Sequence, residues 1–305
     1  MSGSLPKRRV DGVLLLDKPA GLSSNAALQR AKRLLAAAKA GHTGTLDPLA
    51  TGLLPIAFGE ATKFAQALLD APKAYEAVVR FGEETTTGDA EGEVLRAAPV
   101  PAERGAIEAL LPRFLGRQRQ TPPRHAALKH RGRAYYDWAR AGVEIPRPPR
   151  EIEIHALRIL DWRPPDLRLE VACSKGTYVR VLAEDLGAAA GSCAHLAALR
   201  RTGTGGFRLA DAITLERLEA MAPGEREACL LPADTLVRGM PRVDLPEREA
   251  ARFRDGVAVP VPGAVSGRCA VYANGVLLGL AEVGDGTAKP ARLVADPVRG
   301  GEVSS

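Results

Sequence analysis

Residues 41–52, Gly-His-Thr-Gly-Thr-Leu-Asp-Pro-Leu-Ala-Thr-Gly, gather glycines, hydroxyls, one histidine and a single acid between two helical regions. A lone carboxylate in such a setting, Asp47, can act as a nucleophile or as a general base. Taken alone, though, the stretch reads as structural, since Asp at an N-cap followed by Pro at the first helical position opens many helices. A phosphate loop does not fit, because no Gly-Lys-Ser/Thr follows the glycines. The second candidate is residues 176–180, Gly-Thr-Tyr-Val-Arg, which carry Tyr178 and Arg180. Alone, it reads as a strand-to-helix turn with an exposed arginine and a core tyrosine. No G-x-S-x-G elbow, H-E-x-x-H helix or G-x-G-x-x-G loop competes elsewhere. Cys193 and His195 sit close together without partners and read as helix packing. The four cysteines are far apart, with no C-x-x-C spacing, so neither zinc nor a disulfide framework is suggested. No metal or cofactor is expected, and the plain reading is a reduced, cytoplasmic protein.

The elements that must position these residues are mixed. Residues 12–16 read as a short buried strand, followed by a Lys-Pro-Ala-Gly turn at 18–21. Ser23 or Ser24 can then cap a helix with Leu28, Ala31, Leu34 and Leu35 on one stripe. Ala61, Phe64, Ala65, Leu68 and Leu69 recur at helical spacing, so a second helix is expected there, stopping near Pro72. Strict alternation follows: Tyr75, Ala77, Val79 and Phe81 share one strand face. A helix carrying Ile107, Leu110, Leu111 and Phe114 is expected to kink at Pro112. Strands are expected at 152–159 and 167–173, then a short helix from Gly176-Thr177 to Leu186, ended by Gly187. Interspersed strands and helices without a βαβ glycine fingerprint indicate an α+β fold with a mixed sheet. Near Val243 the character changes to short strands separated by Asn274-Gly275 and Gly284-Asp285-Gly286 turns, a hairpin pattern. A boundary near residue 242 therefore separates a large domain, 1–242, from a small all-β module, 243–305.

With 305 residues, 46% hydrophobic and 26% charged, the chain has an ordinary globular composition. No apolar run approaches the roughly 18 residues of a membrane span. The apolar stretch near the start is cut off by Asp17 and Lys18, too soon for a secretory signal, and residues 1–9 read as a loose polar tail. The net charge of +6 is unevenly spread. Residues 117–150 hold nine basic side chains against Asp137 and Glu144, a local excess of +7; the remaining 33 basic and 34 acidic residues balance to −1. Tyr135, Tyr136, Trp138, His125 and His130 are interleaved with the arginines. Guanidinium forks grip phosphates and aromatic faces stack on bases, so the segment reads as an RNA-contacting surface, against the plainer reading of a solvated loop.

In combination these stretches resemble the bacterial TruB family of tRNA pseudouridine-55 synthases. The likeness is carried by residues 41–52, by 12–19 (Gly-Val-Leu-Leu-Leu-Asp-Lys-Pro) and by 53–55 with 59–63. It continues in Lys-Ala-Tyr at 73–75, in 175–180, and in 195–196 with 199–202, all in family order. Residues 279–282 and 290–294 resemble, more loosely, the PUA-like RNA-binding domain of bacterial members. The resemblance implies a mainly antiparallel central sheet flanked by helices, the pseudouridine synthase fold, with a PUA-like C-terminal domain. It also implies an activity: breaking the N1–C1′ bond of a uridine, turning the uracil and rejoining it through C5. That rearrangement is redox-neutral and transfers no group, so it needs neither nucleotide nor metal.

The family's catalytic aspartate matches Asp47, and its partner arginine matches Arg180, which would hold the acid charged. Tyr75 matches the tyrosine that stacks on the uracil and is a candidate base for the C5 proton. Tyr178 matches a second pocket tyrosine, Leu199 an apolar pocket residue, and His42 a histidine contacting the T loop. Lys18 and Pro19 match a supporting motif, and 117–150 falls where the family carries an RNA-clamping insertion. The implied partner is the tRNA T-arm, bound by a monomer with no guide RNA, protein partner or membrane. Two other readings remain: an RNA-folding chaperone that needs only its basic clamp, and the guide-RNA-directed relative of archaea and eukaryotes. The lack of long basic tails disfavours the last.

Overall fold

The computed structural model describes residues 7–261, 263 and 265–295, so most of the expected polar tail and residues 296–305 lie outside the described residues. The chain opens with β1 (Gly12–Lys18), which is buried at nearly every position. Helix α1 (Ser24–Leu34) follows, and of the two candidate caps Ser23 is the one used: its hydroxyl accepts from the Ala26 N–H at 3.1 Å. Next come β2 (Ala40–His42) and β3 (Thr51–Phe58). No helix begins at Asp47-Pro48; the chain makes a turn there, closed by the Ala50 N–H on the Asp47 carbonyl at 3.1 Å.

The helix expected across residues 61–69 is broken. A 3₁₀ turn, Gly59–Lys63, gives way at Phe64 to the short α2 (Ala65–Leu69). Ala61, Phe64 and Leu68 still point inward, so the stripe was real but the helix is two pieces. Strand β4 (Lys73–Phe81) alternates buried and half-buried along its whole length, as its sequence requires. After it come a small hairpin, β5 (Glu83–Thr85) and β6 (Val94–Ala97), and α3 (Arg104–Glu108), which ends before a 3₁₀ turn holding Pro112. The basic segment holds β7 (Gly116–Gln120), the tiny hairpin β8 (Lys129–His130) and β9 (Arg133–Ala134), and α4 (Tyr135–Arg140).

Two long strands follow, β10 (Arg150–Arg163) and β11 (Asp166–Cys173), then α5 (Val179–Ala189) and β12 (Ala194–Thr204). Gly187 does not end α5. It sits inside the helix where a Cβ would come within 2.4 Å of the Ala194 nitrogen, so its role is close helix-to-strand packing. His195 lies at the start of β12 and Cys193 just before that strand, neither of them in a helix; His195 is buried, with Nδ1 3.1 Å from the Glu83 carbonyl. The short pieces β13 (Phe207–Arg208), β14 (Ile213–Thr214), α6 (Leu215–Ala220) and β15 (Leu230–Leu231) complete this part.

The large sheet has 11 strands, in the order β14-β1-β3-β12-β4-β11-β10-β7 with β2, β13 and β15 attached at the side. Only β1–β14 and β3–β12 are parallel, so the sheet is mixed and mainly antiparallel. One face packs α1, α5 and α6 around Leu28, Leu54, Val79, Leu186 and Leu218. On the other face Val13, Leu53, Phe64 and Leu68 meet Ala270, Tyr272 and Leu280 of a second sheet.

That second sheet has five strands: β16 (Arg242–Asp244), β17 (Val259–Pro260), β18 (Gly267–Ala273), β19 (Val276–Gly284) and β20 (Thr287–Leu293), in the order β16-β18-β19-β20-β17. Its two tight turns are those expected, with Asn274 and Gly275, then Asp285 and Gly286, at positive φ. One helix, α7 (Glu247–Arg254), packs on it through Ala250 and Phe253. The two bodies are also tied by polar contacts: Lys63 Nζ donates to the Leu293 carbonyl at 2.9 Å, and Glu60 accepts from the Ala295 N–H at 2.7 Å.

Candidate active site

The loop between β2 and β3 is held by buried bonds that leave it little freedom. The Ser24 hydroxyl accepts from the Leu46 N–H at 2.7 Å and donates to the Leu46 carbonyl at 2.8 Å. Lys18, fully buried, donates to the carbonyls of Leu22 (2.6 Å), Pro19 (2.8 Å) and Pro48 (3.3 Å). Burial pulls its pKa down to about 8, with the charge of Asp47 pulling the other way. Gly52, at φ +97°, lets β3 lie against β12, since a Cβ there would sit 2.4 Å from the Arg201 carbonyl oxygen.

This scaffold sets the Asp47 carboxylate 3.0 Å from the Arg180 guanidinium. Arg180 comes from the first turn of α5, and its side chain is only 4% exposed, whereas that of Asp47 is 39% exposed. Both terminal nitrogens of the guanidinium are engaged. It donates to the carbonyls of His125 (2.7 Å) and Thr87 (3.1 Å) and lies 3.5 Å from a second carboxylate, the buried Asp89. Asp89 is itself fixed by the Thr87 hydroxyl at 2.5 Å and the Glu91 N–H at 3.1 Å. Arg180 and burial act on the charge of Asp47 in opposite senses. Crowding by protein pushes the Asp47 pKa up, Arg180 pulls it back, Asp89 pushes it up again, and the net direction is upward. The carboxylate is reachable by solvent yet poorly hydrated.

Asp47 and Arg180 open into a cleft of about 750 Å³ shared with His42, Asp89 and Glu91 and, from the basic segment, His125, Tyr136 and Arg140. His42, on β2, is half-buried, its Nδ1 has no partner among the described residues, and burial lowers its pKa, which favours the neutral imidazole. Tyr75, Tyr178, Leu199 and Lys18 do not line this cleft. Tyr75 is buried on β4, and Tyr178 is half-buried at the start of α5 with its backbone clamped by Gln120 at 2.8 and 3.1 Å. Both phenols are pushed up in pKa by burial, and the charge of Asp47 pushes them further. Leu199 pairs across β12–β4 with Ala77 and packs against the main core.

The basic segment forms one wall, but its aromatics are less free than the sequence implies. Tyr135 is buried. Trp138 lies under Arg133 at 4.8 Å, and exposed Tyr136 lies near Arg140 at 5.6 Å. Among the described residues, no group of three or more His, Cys, Asp or Glu side chains could hold a metal ion. No helix among them is long and apolar enough to cross a membrane.

Comparison with known proteins gives this geometry its context. Residues 32–179 match the TruB family pseudouridylate synthase N-terminal domain, 180–238 the tRNA pseudouridylate synthase B C-terminal domain, and 241–294 the Pseudouridine synthase II TruB C-terminal model. The chain is 56% identical to tRNA pseudouridine synthase B of Thiobacillus denitrificans, covering 95% of this chain and 97% of that protein. It is 53% identical to the protein of that name from Dechloromonas aromatica, with 94% and 96% covered. The chain belongs to the TruB family. It is a pseudouridine synthase, an isomerase that modifies tRNA. Among solved structures it resembles a chain of a Cbf5-Nop10-Gar1 complex (TM-score 0.72, 26% identity, 94% of this chain and 84% of that one). It shares the fold of a chain in an H/ACA RNP bound to a substrate RNA containing 2′-deoxyuridine (TM-score 0.71, 24% identity, 93% and 85% covered).

Within this TruB chain, sequence reasoning missed Asp89 and Glu91. Their stretch, Thr-Thr-Gly-Asp-Ala-Glu-Gly at 86–92, is as rich in small and polar residues as the Asp47 loop, and that composition was the available signal. Burial raises the pKa of Glu91, and Asp89 and Asp47 raise it further, so three acids share the cleft with the cation of Arg180.

Proposed function

We propose that the enzyme isomerises uridine 55 of the tRNA T loop to pseudouridine, with Asp47 as the catalytic carboxylate. The observation that carries this reading is the Asp47–Arg180 pair, held at 3.0 Å in a cleft walled by the basic segment. The target base leaves its stack at a cost of a few kcal/mol and enters the cleft. There an ionised Asp47 meets it, and cleavage of N1–C1′ is followed by rejoining through C5. Arg180 orients the carboxylate and opposes the effect of burial on its charge. Tyr75 is the candidate base for the C5 proton, and Tyr178 and Leu199 shape the space around the base; all three lie outside the lining of the open cleft, so these roles require the base to seat deeper than that lining. His42 contacts the T loop, and Lys18 braces the Asp47 loop from beneath. Residues 117–150 clamp the RNA; residues 1–242 act as the catalytic domain and 243–305 as the PUA-like RNA-binding domain.

The reading is of a cytoplasmic monomer acting without guide RNA or protein partner. The identity above 50% to proteins named tRNA pseudouridine synthase B, against 26% to the chain in the Cbf5 complex, supports the stand-alone form. The charged wall also suits a tRNA-folding role that would coexist with catalysis. Incubation with unmodified tRNA transcript alone, then mapping of pseudouridine by chemical labelling and primer extension, tests the assignment. Product at position 55 is expected; no product, or product elsewhere, overturns it.

A further inference from the structure

Close to the Asp47 loop lies a guanidinium that none of these roles uses. Arg201 on β12 is 1% exposed and among the largest fully buried side chains. Its Nε donates to the Leu53 carbonyl at 2.6 Å, and Nη2 donates to the Gly44 carbonyl at 3.3 Å, so it ties the Asp47 loop to β3. Among the described residues no carboxylate pairs with it; besides the two carbonyls, the group that favours its charge is the Tyr75 hydroxyl. The two residues face each other directly across the β4–β12 pair, and a bulge follows at once, between Arg201 and Gly203. The other ionisable groups near Arg201 are cationic or neutral: Lys18 on β1, His42 on β2 and Lys73 on β4. Tyr75 in turn pairs with Val171 on β11, and its phenol feels Cys173, two residues further along that strand, and Asp47 from the loop. A buried cation without a carboxylate is costly. Two carbonyl tethers alone could be supplied by an uncharged amide.

We propose that Arg201 is the positioning residue for Tyr75, holding the phenol oxygen and stabilising negative charge on it while it takes the proton from C5 of the rearranged base. This rests on the pseudouridine-forming reading of the Asp47 site. The step balances. Once C1′ is bonded to C5, the C5–H bond breaks and its electron pair forms the C5–C6 double bond. The C6–N1 π pair moves onto N1, which takes a proton from solvent. The C5 proton goes to the Tyr75 phenolate, itself formed by loss of the phenol proton to solvent, so one proton leaves, one enters and the net change is an isomerisation. Burial alone makes that phenolate scarce, and Arg201 is the largest influence in its favour.

The test is single-turnover conversion of tRNA transcripts carrying hydrogen or deuterium at C5 of uridine, by wild type, Arg201→Gln and Arg201→Lys, across a range of pH. Arg201→Gln is expected to bind tRNA normally yet react about 10²-fold more slowly, the range general acid–base groups contribute. Its rate should fall further with deuterium and climb with pH. Arg201→Lys keeps the charge and should lie between, with a smaller isotope effect. Loss of tRNA affinity alone, or slowing with no isotope effect and no pH dependence, would mean Arg201 only braces the loop and would overturn the proposal. Should Arg201→Gln not fold, Arg201→Lys decides by the same criterion: an isotope effect above that of wild type supports the proposal, none overturns it. Asp47→Asn is run alongside; turnover in that variant signals failure of the Asp47 reading itself, whatever Arg201 does.

Discussion

Replacing Arg180 by methionine removes the one cation that Asp47 and the buried Asp89 share, at 3.0 and 3.5 Å, and frees the carbonyls of Thr87 and His125. Breaking a buried pair by deleting one partner costs about 3–5 kcal/mol. At about 1.4 kcal/mol per decade that corresponds to about 10²- to 10⁴-fold. Because the Asp47 side chain is 39% exposed, water replaces part of the missing attraction, and the lower end, about 10²- to 10³-fold in single-turnover rate, is expected. The direction of the pH effect follows from the site. Arg180 is the largest influence lowering the Asp47 pKa, so its loss lets the already raised pKa rise further. Since the reaction needs ionised Asp47, the acid limb of the rate profile should move to higher pH. The assay is single-turnover pseudouridine formation with saturating enzyme from acidic to mildly alkaline pH, with tRNA affinity measured separately. A variant within about tenfold of wild type and with an unmoved acid limb would refute the argument that Arg180 sustains the charge of Asp47.

Three further outcomes follow from the same geometry. Asp47→Asn should melt higher than wild type. The folded pKa of Asp47 is raised, so the native state holds its proton to higher pH, and wild-type stability falls as pH rises from the unfolded pKa through the folded one. The variant's melting advantage should therefore grow across that window and then level off; a variant less stable at neutral pH would contradict this. Ser24→Ala leaves the buried Leu46 N–H unpaired and should cost about 1–3 kcal/mol, read by thermal unfolding, with a slower single-turnover rate because the Asp47 loop loosens. Lys129→Glu with Arg131→Glu, both exposed in the basic segment, should raise KM and flatten its salt dependence, by about one unit of slope for each phosphate no longer neutralised, with kcat unchanged.

Much of the scaffold was legible because it rests on local periodicity. The alternation from Lys73 to Phe81 could only be a strand with Tyr75 turned inward, and the Asn274-Gly275 and Asp285-Gly286 pairs could only be tight hairpin turns. Phe64 shows where periodicity fails: its spacing fits a helix over 61–69, but the chain there adopts a bridge conformation (φ −107°, ψ −2°) that divides a 3₁₀ turn from α2. The pairing of Asp47 with Arg180 spans 133 positions of chain, and composition cannot reveal it; family resemblance supplied it. Asp89 stayed hidden for the same reason, since its importance arises only where the hairpin loop folds back onto α5. Tyr135 and Trp138 looked like free stacking surfaces because sequence shows neither the burial of one nor the guanidinium over the other.

The central claim is that a single carboxylate, Asp47, carries the rearrangement. The direct measurement is single-turnover pseudouridine formation by Asp47→Asn on unmodified tRNA, beside its tRNA affinity. No product is expected, with affinity close to wild type. Appreciable turnover, or loss of product explained wholly by weakened binding, would contradict it.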